Sequence, residues 1–255
     1  MKKSNFVSEY FSQLFLEQAM IIAVINNKGG VGKTTTTVHV AYALAQQGKR
    51  VLCVDMDGQA NLLMHLFDLN KVYELEDEQH LPTNTILHHA SGMDVLPLSY
   101  WEADRKHYVK AVQAAAKKYD ITLIDCPPSL EERTKAALEA ADSVLIPTEA
   151  EDFAVNGLAR LLRLCNEQNK HIAGVVVTQF DKKITAHNIF LRQIASTFPA
   201  YFIDAIVPRS AIFPAASAMR RTGYEWNGKR ANAALEAYNH IAIALIAQLQ
   251  GASAV

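Results

Sequence analysis

Short runs of apolar, often β-branched residues recur along the chain and alternate with stretches of helical spacing. Uninterrupted apolar runs are typical of parallel strands, because both faces of a parallel sheet are covered. Such runs occupy residues 21–25, 50–57, 93–97, 119–126, 143–147 and 172–178. Apolar positions three and four residues apart predict helices at residues 36–47, 100–118, 153–167 and 232–250. The alternation predicts an α/β fold with a mostly parallel twisted sheet flanked by helices.

Three further local predictions follow from shorter patterns. Residues 85–90 are predicted to form a short helix, and Asp152 is predicted to be the N-cap of the helix at 153–167. Residues 4–18 have one apolar and one polar face, which predicts an amphipathic helix. The chain is therefore divided into a helical extension at residues 1–19 and one domain at 20–255. The apolar face of the extension either packs on this domain or contacts a partner.

Composition narrows the class of protein. The chain has 255 residues, of which 50% are hydrophobic and 20% charged, with a net charge of −1. The three cysteines lie inside apolar runs without CxxC spacing, which favours buried thiols in a reducing compartment. There is no apolar run of the roughly 18 residues that span a bilayer, and no basic amphipathic C-terminal anchor. We expect a cytoplasmic protein.

A glycine-rich loop between the first strand and its helix carries the strongest chemical signal. The loop residues are Lys28, Gly29, Gly30, Val31, Gly32, Lys33, Thr34 and Thr35. Glycines let backbone N–H groups converge on phosphate oxygens, and the helix N-terminus adds partial positive charge. Lys33 adds a charge over the terminal phosphates, and the Thr34 hydroxyl is placed to ligate Mg²⁺. The strand–loop–helix context predicts a nucleotide phosphate site.

Carboxylates follow two other predicted strands. Asp55 and Asp57 end the second strand, and Asp125 ends the strand at 119–126. Ligands of α/β folds bind in the crevice beyond the carboxyl ends of parallel strands, so these side chains are expected near the phosphates. Asp125, after an apolar strand, has the position of a carboxylate that holds Mg²⁺ through its water shell.

Three segments together resemble one family. The stretch KGGVGKTT, the segment Asp55–Asn61 and the Asp125-Cys-Pro-Pro-Ser129 turn resemble the deviant Walker A ATPases of the ParA/MinD family. The resemblance implies a three-layer P-loop NTPase fold over residues 20–255 that binds ATP and Mg²⁺. It also implies that Lys28 reaches the phosphates of the other subunit in a nucleotide-sandwich homodimer. On spacing alone, Lys28 could equally be a solvated loop lysine.

The same resemblance assigns further roles. It implies that Asp57 orients the attacking water, that Asp55 supports the Mg²⁺ shell, and that Lys33 and Lys28 supply catalytic charge. It places Gln179, Pro208 and Arg209 around the base, usually adenine. The chain departs from the family pattern at Gly58, at Glu131-Glu132 and at Gln179, where relatives often have proline, glycine and asparagine.

The late part of the chain is strongly basic. Residues 155–230 contain eleven basic and four acidic residues, a net +7, so the rest of the chain carries −8. Such asymmetry is typical of nucleic-acid-binding proteins, although solvated surface cations give the same count. The resemblance implies DNA binding without sequence preference. The candidate contacts are Lys182, Lys183, Arg192, Arg220 and Arg221.

These observations lead to one main functional prediction and one alternative. The main prediction is a slow, partner-stimulated ATPase on nucleoid DNA that partitions plasmid or chromosomal DNA with a ParB-like adaptor. The alternative is the same switch positioning a protein cargo, such as a conjugation complex or a microcompartment. A metabolic ligase or kinase would need an acceptor pocket, and a redox protein would need a cluster-ligating cysteine pair. The sequence signals neither.

Overall fold

The apolar runs form one seven-stranded sheet in the computed structural model, which describes residues 19–69, 85–227 and 232–252. The strand order is β3-β4-β2-β5-β1-β6-β7, and every neighbouring pair is parallel except β3–β4. The strands are β1 (Met20–Val24), β2 (Val51–Asp55), β3 (Leu87–His88), β4 (Met93–Pro97), β5 (Ile121–Asp125), β6 (Ser143–Glu149) and β7 (His171–Thr178). The mostly parallel α/β fold predicted from the apolar pattern is confirmed.

Helices cover both faces of the sheet and bury two separate cores. The helices are α1 (Lys33–Gln46), α2 (Asn61–Leu66), α3 (Arg105–Ala116), α4 (Glu132–Ala140), α5 (Ala154–Glu167), α6 (Thr185–Thr197), α7 (Ile212–Ala218), α8 (Gly223–Asn227) and α9 (Ala233–Ala252). One core contains residues of α3, α4, α5 and α6, and the other contains residues of α1, α2 and α9. The result is the three-layer arrangement expected of this fold.

The predicted short helix at residues 85–90 is wrong. Leu87 and His88 instead form an edge strand that pairs antiparallel with β4, where Leu87 lies opposite Val95. The His88 imidazole is hydrogen-bonded to Asp94 across this pair, at 2.7 Å. Cross-strand pairing thus overrides a weak local helical pattern.

The predicted N-cap of α5 is also wrong. Phe153 occupies that position with φ of 63°, and no side chain caps the helix. Asp152 lies one residue before the N-cap, and its carboxylate accepts the N–H of Phe153 at 2.9 Å.

The helix predicted at residues 100–118 is shorter than expected. Residues Leu98–Tyr100 form a 3₁₀ turn, and α3 begins only after Asp104, whose carboxylate accepts the N–H of His107. The side-chain cap fixes the start of the helix there.

Other predictions about the ends and the class of the chain have mixed outcomes. The cysteines Cys53, Cys126 and Cys165 are free and buried, as predicted. The amphipathic segment at residues 4–18 lies outside the described residues, so the division into an extension and one domain stays a prediction. Among the described helices, none combines the length and the apolarity needed to cross a membrane.

Candidate functional site

The central strands bring the glycine-rich loop and the strand-end carboxylates to one edge of the sheet. β1 lies between β5 and β6, and β5 lies between β1 and β2. Val24 at the end of β1 is in register with Asp125, which is also in register with Asp55. Because parallel strands end at the same edge, the loop after β1 runs directly past both carboxylates.

The loop turns sharply into α1 at two glycines. Gly30 and Gly32 have φ of 78° and 82°, a left-handed conformation that glycine adopts without steric cost. Gly32 is the N-cap of α1 and makes no side-chain cap. The first N–H groups of α1 are therefore left to bind an anion, which is the arrangement of a phosphate site.

The two lysines of the loop occupy different environments. Lys33 is 7% exposed, and its Nζ donates to the backbone oxygen of Lys28 at 3.1 Å, inside the loop. Lys28 lies at the surface with 46% of its side chain exposed, and its Nζ pairs with Glu149 at 2.7 Å and with Glu151. Partial burial lowers the pKa of Lys28, but its two carboxylate partners more than offset this and leave the pKa raised.

Neighbouring strands hold the loop in place through side-chain hydrogen bonds. Asn26 donates from its amide to the backbone oxygen of Pro147 at 2.8 Å, and it accepts the N–H of Lys28 at 3.0 Å. Thr178, at the end of β7, donates to the backbone oxygen of Val31 at 2.8 Å. Gln179 donates to the backbone oxygen of Gly30. The loop is thus preorganised before any ligand binds.

Thr34 and Asp125 form an oxygen pair beside the loop. The Thr34 hydroxyl donates to Asp125 Oδ2 at 2.7 Å. Asp125 is completely buried, and no group in the described part of the chain hydrogen-bonds its Oδ1. Burial raises the pKa of Asp125 to about 7, against the lowering effects of the Thr34 hydrogen bond and the Lys33 charge. A hydroxyl and a carboxylate with an unpartnered oxygen fit a Mg²⁺ ion, which prefers oxygen ligands.

Asp55 and Asp57 differ in what they contact. Asp55 is fully buried and accepts the N–H of Leu63 at 2.9 Å and that of Asp57 at 3.2 Å. Burial and the charge of Asp125 raise the pKa of Asp55 well above its usual range. Asp57 is 8% exposed, accepts the N–H of Gln59 at 3.0 Å and lines a cleft of about 630 Å³. Asp55 therefore organises the turn, while Asp57 lies at the edge of an open cleft.

A second cavity of about 440 Å³ adjoins the glycines of the loop. Gln179, Pro208 and Arg209, the three residues predicted around the base, all line it. An isolated parallel bridge between Phe180 and Pro208 brings these two segments together. Sequence reasoning did not find several other side chains of its wall, among them His65, Phe213, Pro214, Ser217 and Tyr238. They come from α2, α7 and α9, and no motif marks them.

A buried histidine links α1 to the first residue of α8. His39 is hydrogen-bonded to the backbone oxygen of Thr35 at 2.7 Å, and its Nε2 accepts the N–H of Gly223 at 2.8 Å. Its ring stacks on Tyr238, with centroids 5.3 Å apart. Burial, with the nearby His65, lowers the pKa of His39 to about 3, so the ring is neutral. The N–H of Gly223 requires Nε2 to be the acceptor, which places the ring hydrogen on Nδ1.

The predicted DNA contacts lie exposed on two elements. Lys182, Lys183 and Arg192 belong to α6 and the turn before it, while Arg220 and Arg221 lie between α7 and α8. Arg220 has φ of 55° and donates to the backbone oxygen of Met64 at the end of α2. One of the five candidate cations is therefore already engaged within the protein.

Comparison with known proteins decides the family. A family model described as an AAA domain matches residues 19–176. The sporulation initiation inhibitor protein Soj of Bacillus subtilis (strain 168) is 33% identical over 217 residues, 74% of this chain and 84% of Soj. This chain belongs to the ParA/MinD family of P-loop ATPases. The chromosome partitioning protein ParA of Caulobacter vibrioides, another family member, is 32% identical over 74% of this chain and 80% of its own length.

A solved structure extends the likeness of this ParA/MinD-family chain to the whole fold. Cobyrinic acid a,c-diamide synthase from Mycobacterium smegmatis, with bound ADP and magnesium, superposes with a TM-score of 0.71. It is 27% identical, and the match covers 91% of this chain and 96% of the synthase. The resemblance to the ParA/MinD family and the P-loop fold predicted from three short motifs are confirmed.

Proposed function

We propose that this ParA/MinD-family ATPase is a DNA-partition ATPase. Two ATP-bound subunits form a sandwich dimer that binds DNA without sequence preference on the nucleoid. With a ParB-like adaptor, the dimer positions plasmid or chromosomal DNA, and the adaptor stimulates an otherwise slow hydrolysis. The 32% identity to the chromosome partitioning protein ParA of Caulobacter vibrioides supports a role of this class.

The separation of the two loop lysines carries this proposal. Lys33 lies inside its own loop, where a bound nucleotide's phosphates would replace the backbone oxygen it now contacts. Lys28 is at the surface. Of its two partners, Glu149 is the last residue of β6 and Glu151 follows just after that strand. A lysine in that position is directed to a second subunit more readily than to the phosphates of its own subunit.

The chemistry follows from charge and position. Phosphoryl transfer needs positioning and charge neutralisation more than covalent catalysis. Lys33 and the N-terminus of α1 hold the phosphates, and Thr34 and Asp125, with the support of Asp55, would hold Mg²⁺. Bound there, Mg²⁺ supplies charge neutralisation on the phosphates. Asp57 orients the attacking water, and the partner subunit's Lys28 adds charge that is lost when the dimer separates.

The base and the DNA are assigned to the remaining features. Gln179, Pro208 and Arg209 enclose the adenine in the cavity beside the loop. Lys182, Lys183, Arg192, Arg220 and Arg221 contact DNA phosphates. Because these contacts are electrostatic, DNA affinity should fall steeply with salt, with a log–log slope of about −0.9 for each phosphate neutralised.

One experiment tests the link between dimer and DNA. The wild-type protein is co-sedimented with a duplex of mixed sequence, with and without a non-hydrolysable ATP analogue, across a salt series. Light scattering on the same samples gives the mass of the protein. We expect ATP-dependent dimers that bind DNA. Lys28→Ala should bind the analogue yet stay monomeric and lose most DNA binding.

The matched control is Lys117→Ala, an exposed lysine just after α3, at the edge of the sheet away from the loop. It should behave as the wild type. DNA binding that is absent or independent of ATP would contradict the partition function and favour positioning of a protein cargo. An unchanged dimer in Lys28→Ala would return that lysine to a solvated loop position.

A further inference from the structure

Arg133 makes an unusual set of contacts in the first turn of α4. Its guanidinium donates only to backbone oxygens in the hydrogen bonds described for it. Nη1 reaches Met56 at 3.3 Å and Ser99 at 3.0 Å, and Nη2 reaches Trp101 at 2.6 Å. The guanidinium also lies 5.4 Å from the centre of the Tyr108 ring. Arg133 thus joins the end of β2, the turn after β4 and the start of α4.

The Met56 contact places Arg133 on the peptide next to Asp57. The peptide between Met56 and Asp57 offers its oxygen to Arg133, and its N–H donates to Asp55 Oδ1 at 3.2 Å. A peptide unit is planar, so two hydrogen bonds on opposite edges define its orientation. That orientation sets the direction in which the Asp57 side chain leaves the backbone. A Cβ added at Gly58 would lie 3.9 Å from Arg133 Nη1, so the residue after Asp57 also lies close to the guanidinium.

Arg133 also belongs to the segment that follows Asp125. The chain from Pro127 to Glu131 leads into α4, and Thr134 donates to the backbone oxygen of Ser129 at 2.5 Å. Asp57, Ser129 and Arg133 line the same cleft of about 630 Å³. A single side chain therefore connects the segment after one strand-end carboxylate with the turn that carries another.

We propose that Arg133 is a positioning residue for ATP hydrolysis. It holds the Met56–Asp57 peptide so that the Asp57 carboxylate keeps its orientation in the cleft. This inference rests on the water-orienting role proposed for Asp57. Arginine suits the task because its planar fork of N–H donors satisfies several carbonyl oxygens at once, whereas lysine is a compact point charge.

The first test separates turnover from binding. Single-turnover ATP hydrolysis and the affinity for a non-hydrolysable ATP analogue are measured for Arg133→Met, Arg133→Lys and the control Arg105→Met. Arg105 is the first residue of α3 and is half exposed. It lies 3.5 Å from Glu139 and 3.9 Å from Glu132, both in α4 with Arg133. We expect both Arg133 variants to hydrolyse ATP roughly 10- to 100-fold more slowly, because small misplacements of catalytic groups have effects of that order. Analogue affinity should stay within about threefold, since the phosphate loop is untouched, and the control should match the wild type.

The second test asks whether Arg133 acts through Asp57. Arg133→Met is combined with Asp57→Ala, and hydrogen exchange of the Asp57 amide is measured in the two single-site Arg133 variants. Residues that act as a unit are non-additive, so Arg133→Met should slow hydrolysis no further once Asp57 is absent. Exchange at Asp57 should be faster than in the wild type and in Arg105→Met.

The outcomes distinguish this inference from the proposed function. Wild-type turnover in Arg133→Met, with inactive Asp57→Ala, would overturn the role of Arg133 alone. An equal further loss in the Asp57→Ala background, or a parallel loss of analogue affinity, would indicate a merely structural arginine. Full turnover in Asp57→Ala would instead remove the role proposed for Asp57. Failure to bind DNA would affect only the partition function.

Discussion

The phosphate side of the molecule and its basic surface place charged groups in opposite surroundings. Lys33, Asp55 and Asp125 lie at the ends of central strands or at the start of α1, and each is less than a tenth exposed. Exposed cations lie on α6, in the turn before it and between α7 and α8: Lys182, Lys183, Arg192, Arg220 and Arg221. Hydrogen bonds within the protein orient the side chains of the first group. The second group has largely water as its neighbour.

The comparison indicates how each region should respond to substitution. Buried charges interact strongly and depend on one another, so removing one member of the strand-end site should abolish its action. Exposed cations act mainly through summed electrostatics, and each should contribute a similar small amount to binding a polyanion.

Asp57→Ala should produce the largest effect. If Asp57 orients the attacking water, its loss should slow ATP hydrolysis by about 100-fold or more, the usual contribution of a positioned acid–base group. ATP-dependent dimers should persist. Single-turnover hydrolysis and light scattering test this. Glu102→Ala is the control, because Glu102 lines the same cleft but is exposed. Loss of nucleotide binding in Asp57→Ala would contradict the assignment.

Paired substitutions on the basic surface should have intermediate and similar effects. Lys182→Ala with Lys183→Ala, and Arg220→Ala with Arg221→Ala, should each reduce the log–log salt slope of DNA binding by up to about 1.8, two phosphates' worth. ATP affinity should be unchanged. Lys117→Ala with Lys118→Ala, exposed at the opposite edge of the sheet, is the matched control.

The Arg220 contact with Met64 sharpens this prediction. Since the Arg220 guanidinium already donates to a backbone oxygen, Arg220→Ala alone should alter the salt slope less than Arg221→Ala alone. Equal slopes for the two single variants would show that DNA draws Arg220 away from α2. No change in either pair would exclude these cations from the DNA-binding surface.

His39, which joins α1 to the first residue of α8, should have the smallest effect at neutral pH. Its pKa is lowered from 6.5 to about 3 in the folded state, so the unfolded chain binds a proton that the folded chain excludes. Stability should therefore be complete above pH 6.5 and fall as the pH drops from 6.5 towards 3. The contribution has a limiting slope of about 1.4 kcal/mol per pH unit for one proton. Groups that face the ring include His65, Tyr224 and Tyr238.

Urea unfolding of His39→Gln between pH 5 and 7 measures this contribution. The variant should be less stable than the wild type at pH 7, because its amide does not reproduce both the Thr35 and Gly223 contacts. The slope of its unfolding free energy against pH should be smaller than that of the wild type, by the equivalent of about one proton. His171→Gln, which replaces an exposed histidine at the start of β7, should keep the wild-type pH dependence.

The parts of the fold and of the site that could be predicted depend on consecutive residues of the sequence. Apolar strands that can be recognised without tertiary context precede the phosphate loop, Asp55, Asp57 and Asp125. The helix at 85–90 and the Asp152 cap failed because a cross-strand pair and a left-handed Phe153 decide those positions. Local propensity is a weak signal where long-range pairing competes with it.

Hydrophobic period and motif spacing are local properties of the chain, and they are sufficient to recognise the family, the phosphate loop and the strand-end carboxylates. Three contacts are visible only in the folded protein: Lys28 pairs with Glu149 and Glu151, His65 and Tyr238 share a cavity, and Arg133 hydrogen-bonds the peptide beside Asp57. Each of these pairings joins residues 77 or more positions apart, up to the 173 that separate His65 from Tyr238. The strand order and the packing of helices against the sheet decide which distant side chains meet. No single stretch of sequence specifies either of them.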